Sequence, residues 1–338
     1  MGSDTTELIT LLLLGGAAYY LLSSGALDNF ISNLGGGSGG AASSFTFNVV
    51  GDIDHNKPTG DALCGDNPSL ALIIGDFAYD CNADKWWKGT MSACNGKNVI
   101  ASVGNHDCDG KGFIDLFPLN GGKWEFIHKR GNIAFIAVNT GYCNNECSDP
   151  KTSKSLFDQA QNDPSVKWII VHQHKPIFTA GVSPDAPMSY HTMYKKYSKV
   201  KFVFAGHNHT YKRYTVQDGI RYITCGQGGH AGNNSDSQVG PSTGRIGVVK
   251  CSVGLDGSIS CKYVASSDGK VLDTFGMSSG GNHTGSGGVE PSQNASSSYA
   301  RSLYNTRLPP RYIPIKEEID NAIIAEMDKE YARRRKKR

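Results

Sequence analysis

Five short, largely apolar runs of five or six residues punctuate the chain between residues 45 and 209: Phe45–Val50, Leu70–Ile74, Asn98–Val103, Lys167–Val171 and Lys201–Ala205. Their length and their enrichment in β-branched and aromatic residues predict buried strands. Each run ends in the same way, on glycine or histidine followed by polar side chains. The endings are Gly51-Asp52, Gly75-Asp76 with Tyr79, Gly104-Asn105-His106-Asp107, His172-Gln173-His174 and Gly206-His207-Asn208-His209. Polar residues at the carboxyl ends of successive strands converge on one crevice of an α/β sheet. The glycines allow the sharp turns and close backbone approaches that such a crevice needs.

Outside this region the pattern changes. Residues 8–22 carry no charge, and the uncharged stretch continues to Leu27, about the 20 residues that span a bilayer as a helix. A retained anchor, a cleaved signal and a helix packed in a protein assembly all fit this segment. Asp4 and Glu7, and the lack of any Lys or Arg before Lys57, argue against the signal. Residues 35–44 and the stretch from about Ser278 to Ser298 are Gly/Ser-rich linkers. Beyond Pro314, the residues Ile315, Ile319, Ile323, Met327 and Tyr331 form one apolar stripe of a predicted helix, before a terminal RRRKKR. The predicted organisation is an anchor helix and linker at 1–44, a catalytic domain at 45–276, a linker at 277–300 and an amphipathic basic tail at 301–338. That tail suits anionic lipid or a partner, or simply a solvated helix.

Composition refines the picture in two places. Residues 307–338 hold ten Lys/Arg and six Asp/Glu, so the tail is net +4, while the remainder, with 24 basic and 25 acidic residues, is net −1. The overall charge of +3 therefore belongs to the tail and argues against a nucleic-acid-binding domain. All nine cysteines lie between residues 64 and 261, and none forms a zinc-type CxxC pair. Local pairing suggests Cys64 with Cys81, Cys94 with Cys108, Cys143 with Cys147, and Cys251 with Cys261 across a hairpin at Leu255-Asp256-Gly257. Cys225 reads as a buried free thiol. Such cysteine use suits an oxidising compartment.

The ordered set GDxx, GDxxY, GNHD, VxxH and GHxH resembles the calcineurin-like metallophosphoesterases. The tyrosine in GDFAY, with GHNHTYKR and YITCGQGG, resembles the purple acid phosphatase branch. The likeness covers roughly Phe45 to Phe275. It implies a four-layer α/β/β/α sandwich with two mixed sheets, and two metal ions at their carboxyl edges. It assigns Asp52, Tyr79 and His209 to one metal, Asn105, His174 and His207 to the other, and Asp76 to both. Three anionic oxygens at the first site suit Fe(III). The neutral second site suits Zn(II), Fe(II) or Mn(II). The implied activity is hydrolysis of phosphate monoesters by metal-bound hydroxide, with His106 as candidate acid and Asp107 orienting its ring.

The pattern departs from the branch at Asp54, where glycine is usual; Asp54 is either an extra ligand or a bystander. No histidine lies between Thr179 and Pro187, where phosphate contacts are expected, which leaves His172, His191 and His230 as rim candidates. Gly226-Gln227-Gly228-Gly229 lacks the P-loop lysine and reads as a turn near the metals. The expected setting is extracytoplasmic, tethered to a membrane or surface assembly. The alternatives are a phosphodiesterase or nucleotidase with the same metals, and a self-assembling structural subunit.

Overall fold

The computed structural model describes residues 44–108, 112–140, 150–179, 185–229, 242–243, 245–285 and 287–288. Its strands are β1 (Phe45–Val50), β2 (Leu70–Ile74), β3 (Val99–Ser102), β4 (Phe126–Arg130), β5 (Ile133–Val138), β6 (Trp168–Gln173) and β7 (Val200–Ala205). They continue as β8 (Tyr211–Arg213), β9 (Arg221–Cys225), β10 (Ser242–Thr243), β11 (Gly247–Val253), β12 (Ile259–Ala265), β13 (Val271–Met277) and β14 (His283–Thr284). They form two seven-stranded mixed sheets, ordered β14-β13-β12-β11-β1-β2-β3 and β10-β8-β9-β7-β6-β5-β4. The α-helices are α1 (Lys57–Cys64), α2 (Ala83–Gly89), α3 (Pro150–Asn162) and α4 (Ser189–Tyr194).

The apolar runs are continuous because both faces of each central strand are covered, as parallel strands require. In β2, Leu70, Leu72 and Ile74 join the core between the sheets, whereas Ala71 and Ile73 join a second cluster with Leu63 of α1 and Trp86 of α2. In β6, Ile170 belongs to the inter-sheet core, while Ile169 and Val171 pack with Phe157 of α3 and Tyr190 of α4. Phe47 of one sheet meets Phe135 of the other edge-on, with ring centroids 5.2 Å apart. The strands β1, β2 and β3 are mutually parallel, as are β6 and β7, so their carboxyl ends lie at shared edges. The sheets meet there through Ser102 Oγ and His172 Nδ1, 2.6 Å apart.

Two of the expected disulfides are wrong. The bonds are Cys64–Cys94 and Cys81–Cys108, together with the expected Cys251–Cys261. The loops after β2 and β3 are neighbours because those strands pair in parallel, so adjacency in the sheet outweighs closeness in sequence. Cys64 at the end of α1 reaches the 3-10 turn Ser92–Cys94 instead. Cys143 and Cys147 lie outside the described residues. Cys225 is free and buried, and burial pushes its thiol up. The hairpin forms as expected, with Gly257 at φ +80°.

The apolar segment 8–27 and the basic tail lie outside the described residues, as does most of both linkers. Among the described residues, no helix is long and apolar enough to cross a membrane.

Candidate metal centre

Three strand ends turn in the same unusual way. Asp52, Asp76 and His207 have φ of +57°, +51° and +66°, in the left-handed region that non-glycine residues avoid. Strain of this kind persists where the surroundings over-determine it. Glycines make the packing around them possible. A Cβ on Gly104 would lie 2.2 Å from Asp76 Oδ1, and one on Gly206 would lie 2.6 Å from Asp52 Oδ2. Below, Phe77 is fully buried and packs on Phe113 and Phe117 at 5.1 Å and on Trp86 at 5.5 Å, pinning the loop that carries Asp76 and Tyr79.

The predicted ligands then gather. Asp52 is buried; its Oδ2 accepts the His207 N–H at 2.8 Å, and its Oδ1 has no hydrogen-bond partner and lies 3.5 Å from His209 Nε2. Asp76 Oδ1 accepts the His106 N–H at 2.9 Å and lies 3.3 Å from His174 Nε2. The Tyr79 hydroxyl is 3.3 Å from Asp76 Oδ2 and 2.8 Å from His209 Nε2. Asn105 Oδ1 is 3.0 Å from His174 Nε2. Candidate ligand atoms of Asp76, His174 and His207 lie within 4.8 Å of one another, and so do those of Asp52, Asp76 and His209. Asp76 is common to both groups.

The donor chemistry fits two cations. His174 Nδ1 lies 2.9 Å from the Ile74 carbonyl, which only accepts, so Nδ1 carries the proton. A neutral ring then turns its Nε2 lone pair toward two further oxygens, those of Asp76 and Asn105, an arrangement that a cation between them would relieve. Without one, burial alone would depress His174, but Asp76 and Asp52 push it up to about 9. Burial opposes ionisation of Asp76 as well, yet His174 outweighs it and holds the carboxyl well below its ordinary range. Burial, followed by the charges of Asp52 and Asp76, pushes the Tyr79 phenol well above its ordinary value. Burial and the neighbouring His174 push His207 down to about 3.

The remaining candidates separate. His106 is exposed, its ring centroid 4.9 Å from that of Tyr79. Asp107 does not orient it. The Asp107 carboxylate is fully buried and accepts backbone N–H groups from Asp76 at 3.0 Å, Phe77 at 2.6 Å and Gly104 at 2.5 Å. Burial, with the Asp76 charge beside it, pushes Asp107 up to about 7 against those bonds. The expected catalytic role is therefore corrected to that of a tie between the loops after β2 and β3. Its side chain points the wrong way for the neighbouring ring because successive residues at the turn diverge.

His172 lies one layer beneath the cluster, fully buried against Ser102. His191 is also internal, with Nδ1 2.7 Å from the Tyr222 hydroxyl and Nε2 2.9 Å from Asp218. His230 lies outside the described residues. Asp54 belongs to neither ligand group; its carbonyl accepts the Trp86 indole N–H at 2.8 Å. Gly228 donates its N–H to the Gly51 carbonyl at 3.0 Å, so the GQGG turn backs the β1 loop. The Ile74 carbonyl and the Phe77 plug escape sequence reasoning, because neither carries a side-chain signal of ligand support.

Residues 45–211 match the calcineurin-like phosphoesterase family. The Fe(3+)-Zn(2+) purple acid phosphatase 12 of Arabidopsis thaliana is 26% identical over 241 residues, covering 55% of this chain and 51% of that protein. Among solved structures, purple acid phosphatase PPD1 from yellow lupin (Lupinus luteus) seeds superposes with a TM-score of 0.56 at 17% identity, over 70% of this chain and 54% of that one. GAP50, described as the anchor in the inner membrane complex of Plasmodium, gives 0.54 at 18% identity, over 68% of this chain and 87% of that one. The chain spans about half the length of the purple acid phosphatases it matches. The structural likenesses show the fold alone. Residues 45–211 therefore carry the calcineurin-like phosphoesterase family match, and the chain is similar in sequence to a purple acid phosphatase.

Proposed function

We propose that this protein hydrolyses phosphate monoesters at a two-metal centre, with an acid phosphatase-like preference. The observation that carries the reading is the pair of ligand groups sharing Asp76, with Tyr79 beside one and Asn105 beside the other. In this reading Asp52, Asp76, Tyr79 and His209 hold Fe(III), and Asn105, His174, His207 and Asp76 hold Zn(II), Fe(II) or Mn(II). The bound pair would supply charge for the phosphate oxygens and activate the attacking water.

The chain's own residues prepare the site. The Ile74 carbonyl sets the His174 tautomer, and the His207 N–H fixes one Asp52 oxygen so that the other is free to ligate. In this reading His106 holds a phosphate oxygen or protonates the leaving group, which its exposure beside Tyr79 supports. The catalytic unit is residues 45–276. Three disulfides among the described residues favour an oxidising, extracytoplasmic setting, where residues 1–44 tether it to a membrane or surface assembly.

The test is turnover of p-nitrophenyl phosphate and of bis(p-nitrophenyl) phosphate from acidic to neutral pH on metal-replete protein. The proposal expects the monoester to be preferred, with an acidic optimum. Preference for the diester would move the protein to the phosphodiesterases. The shared fold of PPD1 and GAP50 leaves a tethering role as the second reading, which absence of turnover on both substrates would favour.

A further inference from the structure

The Cys81–Cys108 disulfide joins two of the loops that carry the ligand cluster, that of Asp76 and Tyr79 and that of Asn105, with its Cα atoms 5.8 Å apart. Cys81 stands two residues after Tyr79, and Cys108 stands three after Asn105 and two after His106. We propose that this disulfide is a positioning element of the metal centre, and that its reduction by a small dithiol loosens Tyr79 and Asn105 and releases metal. The inference rests on the metal-centre reading above.

Three observations carry it. The first is position. The loop after β2 is anchored on its strand side by the buried Phe77, and the buried carboxylate of Asp107, the residue before Cys108, ties the loop after β3 to it. The disulfide closes the far side of both, so Tyr79 lies between Phe77 and Cys81, and Asn105 and His106 precede Cys108. The contact between the Tyr79 and His106 rings, 4.9 Å between centroids, crosses from one loop to the other. The second is conformation. Cys81 and Cys108 have φ of +60° and +49°, in the left-handed region that residues other than glycine disfavour. Such conformations persist where the surroundings impose them, and the covalent bridge is a constraint common to both. The third is access. Cys81 is exposed and Cys108 half-buried, whereas Cys64, Cys94, Cys251 and Cys261 are all 3% exposed or less. Thiol–disulfide exchange requires the attacking thiolate to reach a sulfur, so of the three bridges among the described residues a dissolved reductant meets this one first.

A thiolate of the dithiol attacks Cys81 Sγ, the Cys81–Cys108 bond breaks, and its electron pair leaves on Cys108 Sγ, which takes a proton. The second thiol of the reductant loses its proton and attacks the mixed disulfide, releasing Cys81 as a thiol after protonation. Two electrons and two protons pass to the protein, and the dithiol becomes an internal disulfide.

The test uses the full chain and zinc alone, because a dithiol would also reduce iron. Protein is reduced briefly, desalted and divided. One part is alkylated for mass mapping of the opened bridge, and the other is titrated with zinc against a chromophoric chelator under anaerobic conditions. The Cys81→Ser/Cys108→Ser variant provides an arm without reductant. The expected result is first opening at Cys81–Cys108 and zinc binding weakened about 10–100-fold in both arms, the scale of losing a group that supports metal ligands. Far-ultraviolet circular dichroism should be unchanged, and reoxidation of the reduced protein should restore affinity. A Cys251→Ser/Cys261→Ser variant should lower the melting temperature without changing zinc affinity, which separates positioning from general stabilisation. Unchanged zinc affinity with the Cys81–Cys108 bridge open would overturn the inference, as would first opening elsewhere. Failure of the oxidised protein to bind zinc, iron or manganese would overturn the metal-centre reading and the inference with it.

Discussion

At the scale of single residues, the site depends on which atom of each side chain is already engaged. Tyr79 is a phenol held protonated by burial and by two carboxylates, so a strongly charged cation must displace its proton. Tyr79→Phe should abolish the visible charge-transfer band of iron-loaded protein while retaining the fold, as absorbance and circular dichroism on one sample would show. Asp107 acts through three backbone N–H groups, so Asp107→Asn should cost about 1–3 kcal/mol of stability, the scale of a buried unsatisfied donor. It should lower metal occupancy more than turnover per bound metal. A ring-orienting role would instead alter the pH profile at full occupancy. His172 gives a pH dependence of definite sign. Burial, with the charge of His128 beyond it, pushes its folded value down to about 3 from an ordinary value near 6.5. The unfolded chain therefore takes up a proton that the folded one refuses. This contribution to stability is intact above pH ~6.5 and falls by up to ~1.4 kcal/mol per pH unit toward pH 3. His172→Gln should flatten the fall of melting temperature between pH 7 and 4, provided that it is compared with wild type at each pH.

At the scale of elements, the parallel strands and their loops explain what could be read in advance. The strands were legible because each is apolar on both faces, leaving short uninterrupted runs such as Leu70–Ile74. The ligands were legible because they follow those runs immediately. The loop supports were not legible. The role of Asp107 depends on N–H groups brought from β2 and β3, and the Cys81–Cys108 bond depends on those strands being neighbours. A glycine and an aromatic plug test this level directly. Gly104→Ala would place a methyl group against Asp76, and it should abolish metal binding with little loss of sheet structure. Phe77→Ala should destabilise the protein by about 3–5 kcal/mol through the cavity it leaves, measured by denaturant unfolding. Metal affinity should fall with it, because Asp76 and Tyr79 flank the plug in sequence.

At the scale of the molecule, two sheets packed face to face bring loops from residues 51 to 209 to one place. Asp52, Asp76 and Asn105 come from one sheet, and His174, His207 and His209 from the other, so the cluster forms only when both sheets are assembled. Metal binding should therefore stabilise the whole domain by mass action. The motif order, through the family resemblance it carries, made this architecture readable, whereas histidine positions alone misdirect: His191 follows the VxxH motif in sequence yet is held in the core by Tyr222 and Asp218. The central claim is a pair of ions sharing Asp76. Its most direct test is the metal-to-protein ratio of wild type and Asp76→Ala after reconstitution with iron, zinc and manganese. About two ions per folded wild-type chain are expected, with loss of both in the folded variant, because the shared carboxylate serves each ion. No retained metal in folded wild type, or two ions retained in the variant, would contradict it.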